Sequence, residues 1–324
     1  MLFLAGVMGM ALVGASVFVG MDAGVDGAQD DESQDDPTAD EAQDIEIISL
    51  GDLIAGGAES EALSGGAGED SITAGEGDDT VDGGAGDDHL RGALDDDILR
   101  GEDGDDTLHG ELDDDTLTGG AGDDQMFGHV GDDLMRGGAG NDTLEAGDGD
   151  DVLIGDAGDD ALHGYLGDDT LEGGAGQDTL FGGWGNDVLI GTGDGSGAEA
   201  QDFLNGGDGD DAIFAGAGDF VHGGDGADTI VVSEWTLDES AQMTDFDISE
   251  DTLVVLYDDA LPDAEYELRL ATDALDDELT HVLLNDEIVL SVMDGGVLTL
   301  GDVQLVPQSA ADALLSGAVM SNAA

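Results

Sequence analysis

Residues 119–145 read GGAGDDQMF GHVGDDLMR GGAGNDTLE, three nine-residue units placed end to end. Each unit has Asp at its sixth place (Asp124, Asp133 and Asp142) and an apolar residue at its eighth. Glycines near the first, second and fourth places allow positive φ and close approach of backbones, which predicts a turn. The last three places, such as TLE at the end of the third unit, favour a short strand with its middle side chain on one face. The stretch therefore predicts a repeating turn and strand.

The nine-residue period runs without interruption from Gly65 to Ile190, and its eighth place is always Ile, Val, Leu or Met. A degenerate unit with Glu61 at the sixth place precedes it, and a longer unit after Gly191 breaks the register. Two residue classes held in phase for so long indicate an ordered repeat rather than a low-complexity tract. The sixth-place carboxylates are the candidate metal ligands: Asp70, Asp79, Asp88, Asp97, Asp106, Asp115, Asp124, Asp133, Asp142, Asp151, Asp160, Asp169, Asp178 and Asp187, followed after the break by Asp202, Asp211 and Asp228.

The charge of the chain narrows the choice of ligand and partner. Its 324 residues include 80 Asp and Glu against 4 Lys and Arg, for a net charge of −76. This charge argues against nucleic acid and anionic membrane surfaces as direct partners, because like charges repel. Ordering nine residues costs roughly 9–18 kcal/mol, whereas burying one Leu returns about 1.5–3 kcal/mol, so each unit needs a cation. Carboxylate and carbonyl oxygens, with no His or Cys in phase, favour Ca²⁺ over transition metals.

GGAGNDTLE (residues 137–145) and GGWGNDVLI (residues 182–190) fit the pattern G-G-x-G-x-D-x-U-x at every defined place. Residues 56–231 resemble the RTX (hemolysin-type) calcium-binding nonapeptide-repeat proteins. That resemblance implies an all-β fold, a right-handed parallel β-roll with two units per coil. It also implies that each calcium ion lies between two turns stacked on the same edge of the roll, bound by sixth-place Asp side chains and turn carbonyls. Asp124 would then share ions with Asp106 and Asp142, giving up to about a dozen regular sites along the roll.

The third place of the unit alternates with a period of two units. One row is mostly Ala, and the other contains Leu94, Leu112, Val130, Leu166 and Trp184. The second row also lacks turn glycines, so positive φ should be strained there, at Ala93, Asp95, Glu111, Asp113, His129 and Tyr165. We expect the Ala edge to hold the tighter calcium ladder. The five bulky residues form an apolar edge that either contacts a partner or another copy, or folds over neighbouring coils.

The two ends of the chain differ from the repeat. Residues 1–21 are apolar and about long enough to span a bilayer, as a membrane anchor or a cleaved signal peptide, and no Lys or Arg flanks them. Residues 22–43 are predicted to be an acidic disordered linker, 44–64 an N-terminal cap with a degenerate first repeat, and 65–231 the roll. Residues 232–324 are predicted to be a C-terminal β-rich cap. Its expected strands are 252–257, 266–270, 281–284, 287–292, 297–300 and 303–306, with a hairpin turn at Asn285-Asp286.

No catalytic residues are predicted, because the sequence lacks the HExxH and GxSxG motifs. It contains no Cys, so disulfides and thiolate metal sites are excluded. The resemblance implies a secretion signal at the C-terminal end and the type I secretion machinery as a partner. The function expected from these features is a secreted, extracellular protein that folds on binding several Ca²⁺ ions. The alternative is a membrane-anchored cell-surface or adhesion protein that uses the roll as a calcium-rigidified stalk, with residues 1–21 in the membrane.

Overall fold

The computed structural model describes residues 44–49, 51–191, 200–216, 218–233, 240–257, 266–273, 276, 278–293 and 298–310. The apolar segment 1–21, the linker 22–43 and the C-terminal residues 311–324 lie outside the described residues. Expectations for these segments therefore stay predictions.

Strands account for nearly all the regular structure. In the first part of the chain they are β1 (Asp44–Ser49), β2 (Leu53–Ala55), β3 (Ala62–Ala67), β4 (Ser71–Glu76), β5 (Thr80–Ala85), β6 (His89–Leu94), β7 (Ile98–Asp103), β8 (Thr107–Leu112), β9 (Thr116–Ala121), β10 (Gln125–Val130), β11 (Leu134–Ala139), β12 (Thr143–Asp148), β13 (Val152–Ala157), β14 (Ala161–Leu166), β15 (Thr170–Ala175), β16 (Thr179–Trp184) and β17 (Val188–Ile190). They continue as β18 (Phe203–Asp208), β19 (Ala212–Ala215), β20 (Phe220–Asp225), β21 (Thr229–Ser233), β22 (Ala241–Met243), β23 (Thr252–Tyr257), β24 (Leu268–Thr272), β25 (Leu279–Leu284), β26 (Glu287–Met293) and β27 (Val303–Pro307), and a 3₁₀ helix follows at Gln308–Ala310.

The strands form two sheets, and consecutive strands alternate between them. The 13-stranded sheet contains the odd-numbered strands β1 to β23 and then β27. The 14-stranded sheet contains the even-numbered strands β2 to β22, followed by β26, β25 and β24. Along the repeat each strand pairs in parallel with the strand two units away, as Met126 does with Leu144. The predicted all-β parallel roll with two units per coil is confirmed.

Each strand of the repeat is longer than expected. The sequence predicted strands over the last three places of a unit, but β12 continues from Thr143 through the first three places of the next unit to Asp148. Its buried positions are Leu144 and Ala146, at the eighth and first places. The turn is thereby reduced to the fourth, fifth and sixth places. Because a side chain at the first place points into the roll, only a small residue fits there.

The core is a column of eighth-place side chains between the two sheets. Leu108, Leu117, Met126, Met135 and Leu144 are all fully buried. Each contacts its counterparts on the coils before and after it, because side chains on one face of a parallel sheet stack at about 4.8 Å spacing. A single apolar residue per unit therefore builds one continuous core.

The longer unit is absorbed without a change of register. Phe203 on β18 pairs with Thr179 on β16, so the even-numbered sheet continues directly from β16 to β18 despite the longer unit between them. Residues 192–199, which contain most of the extra length, lie outside the described residues. The two sheets continue on the far side of the break.

The C-terminal region extends the roll and then closes it with an antiparallel meander. β23 and β27 add parallel strands to the odd-numbered sheet, while β26, β25 and β24 add to the other sheet, the last two in antiparallel pairing. The predicted hairpin turn is confirmed, since Asn285 and Asp286 have φ of 57° and 69° between β25 and β26. The strand predicted at 297–300 is wrong over Leu298 to Leu300. These residues lead into a turn closed by Asp302, whose carboxylate accepts from the Thr299 backbone N–H at 2.8 Å.

Candidate calcium sites

The sixth-place aspartates lie inside the roll at the start of each strand, between the turn and the core. Every one of the candidate ligands from Asp70 to Asp228 is buried, and none is more than 3 % exposed. A buried carboxylate must have hydrogen bonds and a counter-charge, because transferring an ionised group out of water without them is costly. The question for these residues is where those partners are.

One carboxylate oxygen of each Asp is held by the backbone of the preceding coil. The Asp106 N–H donates to Oδ1 of Asp124 at 2.8 Å, and the Asp124 N–H donates to Oδ1 of Asp142 at 2.8 Å. The same contact joins Asp115 to Asp133 on the other edge. The residues expected to share ions are thus neighbours in two ladders, which we call the inner ladders. Sharing of an ion between them stays a prediction.

The other oxygen, Oδ2, is buried and has no hydrogen-bond partner among the described residues. This holds for Asp70, Asp79, Asp88, Asp97, Asp106, Asp115, Asp124, Asp133, Asp142, Asp151, Asp160, Asp178, Asp187, Asp211 and Asp228. A native protein buries only a few unsatisfied polar atoms per 100 residues, and each of them requires an explanation such as a bound ion. A row of unsatisfied carboxylate oxygens is the donor set that a hard divalent cation requires. The residues present therefore fit calcium.

The pKa values of these side chains show how unfavourable the charged form is without a cation. Burial raises the pKa of Asp115 to about 8 and that of Asp124 to about 7. The backbone hydrogen bond from the preceding coil lowers each value, and the charges of neighbouring aspartates raise it further. At neutral pH, ionising all these buried carboxylates destabilises the metal-free roll. A bound cation removes this conflict.

The backbone at the end of each strand, next to the turn, supplies further oxygen atoms. At the second place, Gly138 has φ of 117°, and a Cβ on it would lie 2.2 Å from the carbonyl oxygen of Gly120 on the preceding coil. Carbonyls at the second place therefore point from one coil to the next. At the first place, a Cβ on Gly137 would lie 2.3 Å from Oδ2 of Asp142, so glycine there lets the carboxylate lie against the strand. Glycines at these places leave room for oxygen atoms.

The structure also contains a ladder that the sequence did not predict. Fifth-place side chains on the outside of the turns accept hydrogen bonds from the following coil: the Asp123 N–H donates to Oδ1 of Asp105 at 2.9 Å, and the Asn141 N–H donates to Oδ1 of Asp123 at 2.8 Å. These outer ladders run in the opposite direction to the inner ones. The frequent Asp or Asn at the fifth place was the available signal, and it explains part of the acidity.

Three further aspartates extend the inner ladders. The Asp52 N–H donates to Oδ1 of Asp70, the Asp202 N–H to Oδ1 of Asp219, and the Asp228 N–H to Oδ1 of Asp251. Asp52 precedes Asp70 by the coil length of 18 residues, which was a usable signal. Asp251 lies 23 residues after Asp228, outside the period, so only the fold brings it to the ladder. We propose Asp52, Asp219 and Asp251 as additional ligand candidates.

The two edges of the roll differ as the alternation predicted. All six non-glycine residues expected to take positive φ do so, with Glu111 at 90° and His129 at 82° as examples. The Ala edge has two such residues that were not foreseen, Glu102 and Asp156. The apolar edge is exposed at Leu94, Leu112, Val130, Leu166 and Trp184, of which Trp184 is the most exposed at 58 %. A tighter calcium ladder on the Ala edge, and a partner or second copy on the apolar edge, stay predictions.

Comparison with known families agrees with this geometry. The family model described as RTX calcium-binding nonapeptide repeat (four copies) matches residues 55–90, 91–126, 127–162, 163–195, 196–219 and 219–233. No curated protein matches the chain. Within the described part of the chain, no helix has the length and apolarity needed to cross a bilayer.

Proposed function

This chain belongs to the RTX calcium-binding nonapeptide-repeat family, and on that premise we propose that it is a secreted, non-catalytic protein that folds outside the cell as it binds several Ca²⁺ ions. The observation that carries the proposal is the row of buried Oδ2 atoms without hydrogen-bond partners among the described residues. Their number and spacing give the roll far more buried negative charge than its own donors neutralise. Folding and calcium binding then become one event, because the sites exist only in the folded chain.

The calcium gradient across a cell boundary supports the place of folding. Extracellular calcium modules have dissociation constants near 10⁻⁴–10⁻³ M, well above the calcium concentration inside cells. At low calcium, repulsion among carboxylates keeps the chain extended, which suits export through the type I secretion machinery. At higher calcium the ladders close. The ligands in this proposal are the sixth-place aspartates together with backbone carbonyls of the second-place residues at the strand ends and of the fourth-place residues in the turns.

Circular dichroism of the full chain with chelator and with millimolar Ca²⁺ tests the proposal. We expect a spectrum of unfolded chain in chelator and a β-rich spectrum with calcium, and reversal on adding chelator again. Mg²⁺ at the same concentration should not substitute, because it requires tighter octahedral geometry and retains its waters. A spectrum that is β-rich in chelator at neutral pH and indifferent to calcium contradicts the proposal.

We propose that the chain is not catalytic, and one group of three neighbouring side chains bears on that proposal. In the C-terminal region, Nε2 of His281 lies 3.2 Å from Oδ2 of Asp273, and Nδ1 lies 3.0 Å from Oγ of Ser291. Ser291 is 8 % exposed and pairs with His281 across β25 and β26. We interpret the three residues as a cross-strand contact that holds the meander together. Hydrolysis of a p-nitrophenyl ester by the wild type that is lost in Ser291→Ala would contradict this interpretation.

The apolar sequence of residues 1–21 favours a second candidate, a protein anchored to the cell surface with the roll as a stalk. Fractionation of a producing culture into medium, soluble extract and membranes distinguishes the two. Secretion predicts the full chain in the medium. Anchoring predicts recovery in the membrane fraction, with release of the roll by mild proteolysis.

A further inference from the structure

A second kind of metal-ligating cluster lies on the outer face of the even-numbered sheet, whereas the sixth-place aspartates are buried inside the roll. His109 and Glu111 are two residues apart on β8, so both side chains point outward. His129 on the neighbouring β10 pairs directly with Glu111. The three side chains therefore lie around one point on the sheet surface, and one ligand atom from each lies within 4.8 Å of the others.

We propose that His109, Glu111 and His129 form a binding site for one divalent metal ion of borderline softness. Zinc is the ion used to test this proposal. Two imidazole nitrogens and a carboxylate oxygen are a ligand set that zinc accepts, whereas Ca²⁺ takes oxygen ligands. Three protein ligands leave the remaining position of a tetrahedral ion to solvent. The site is distinct in chemistry and in place from the buried aspartate ladders.

The geometry of the two rings supports this assignment. Nδ1 of His109 and Nε2 of His129 face each other at 3.0 Å. Ligand atoms on a tetrahedral zinc ion lie about 3.4 Å apart, so the two nitrogens are already near the required separation. Phe127, which pairs with His109 across the two strands, stacks on the His109 ring with a centroid distance of 4.7 Å and fixes its orientation. One carboxylate oxygen of Glu111 lies within 4.8 Å of a ring nitrogen of each histidine.

Charge at the site acts in both directions. Arg91 Nε lies 3.3 Å from Oε1 of Glu111 and competes with a cation for that carboxylate. The net charge of −76 over the chain attracts divalent cations to every part of the surface.

The backbone makes an unusually clean test possible. Glu111 and His129 occupy second places of their units, where most units have Gly, and both have positive φ. Replacing His129 with Gly removes a ligand and at the same time relieves backbone strain. If His129 has only a structural role, His129→Gly should stabilise the roll and leave zinc binding unchanged. If His129 is a ligand, the same substitution should weaken zinc binding although the roll becomes more stable.

The experiment is calorimetric titration of zinc into the full chain in millimolar Ca²⁺, which keeps the calcium ladders filled. We expect one zinc ion per chain bound more tightly than the background of surface carboxylates. His129→Gly and His109→Gln should each weaken zinc binding by at least ~10-fold. Loss of a residue that only supports a metal ligand already costs that much, and these residues are ligands themselves. Arg91→Gln should strengthen zinc binding several-fold, because Glu111 loses its competitor.

Ala93→Gly is the matched control, since Ala93 is another strained second-place residue on the same sheet but has no ligand atom. It should bind zinc as the wild type does. Calcium-dependent circular dichroism of every variant establishes that the roll is formed. Absence of a single tight zinc site in calcium, or equal affinity in wild type and His129→Gly, overturns the proposal without affecting the calcium function.

Discussion

The backbone N–H of Asp124 donates to Oδ1 of Asp142 on the next coil, and Oδ2 of Asp142 is buried without a hydrogen-bond partner among the described residues. One carboxylate thus joins two coils and leaves an uncompensated oxygen inside the roll. That combination makes the effect of a mutation depend on whether calcium is bound.

Asp142→Asn should have effects of opposite sign with and without calcium. In calcium it removes a charged ligand and should destabilise the roll by about 1–3 kcal/mol, seen as a higher calcium midpoint of folding by circular dichroism. Without metal it removes a buried charge, so the variant should remain folded to a higher pH than the wild type. Asp123→Asn is the control, because Asp123 is an exposed fifth-place residue whose acceptor oxygen Asn retains. Equal effects of the two substitutions would contradict the assignment of Asp142 as a ligand.

The metal-free roll should be more stable in acid than at neutral pH. The folded pKa of Asp133 is about 6 and that of Asp115 about 8, both raised by burial from the ordinary value of 3.8. A group whose pKa is raised by folding stabilises the fold fully below the unfolded value, and this contribution is lost as pH rises through the folded value. Metal-free protein followed by circular dichroism should therefore lose β-structure between about pH 4 and pH 8. Gain of β-structure with rising pH in the absence of metal would show that these carboxylates are not buried.

Two substitutions at second places should shift stability in opposite directions. Ala93 has φ of 104°, so Ala93→Gly should stabilise the calcium-bound roll by about 1 kcal/mol. Gly138 has φ of 117° beside a backbone oxygen, so Gly138→Ala should destabilise it by more than ~1 kcal/mol. Urea unfolding in millimolar calcium measures both. A stabilising Gly138→Ala would mean that the backbone at the second place does not have the described conformation.

The eighth place should be far more sensitive than the third. Leu144 is fully buried in the column, so Leu144→Ala should cost about 2–5 kcal/mol. Leu112, on the apolar edge, is 43 % exposed, and Leu112→Ala should change stability by less than ~0.5 kcal/mol. Unfolding of both variants in calcium decides the matter, and similar losses would indicate that the apolar edge is covered in solution.

The nine-residue period of the sequence predicted most of the architecture, because it places Asp and an apolar residue at the same two points of every unit. The alternation at the third place correctly predicted that His129 and Tyr165 belong to one edge and have positive φ. The extent of the strands was missed, because first-place glycines such as Gly137 have low β-propensity in isolation. They join strands here because neighbouring coils supply hydrogen-bond partners on both sides.

Relationships that do not follow the period could not be predicted from it. Asp251 joins the inner ladder through a segment of irregular length. His109 and His129 are brought together by pairing of β8 with β10, and no local motif marks them. The outer ladder of Asp123 was visible as composition but not as a contact, since its direction depends on the stagger of the coils.

Alternation of units between two sheets has a consequence for how such a gene can change length. In the regular repeat, strands that pair are 18 residues apart, so the gain or loss of 18 residues there adds or removes one whole coil and leaves every later contact in place. The gain or loss of nine would transfer all later strands to the opposite sheet and set the Ala row against the apolar one. Inherited duplications and deletions in this chain should therefore survive in multiples of two repeats, although the repeat itself is nine residues long.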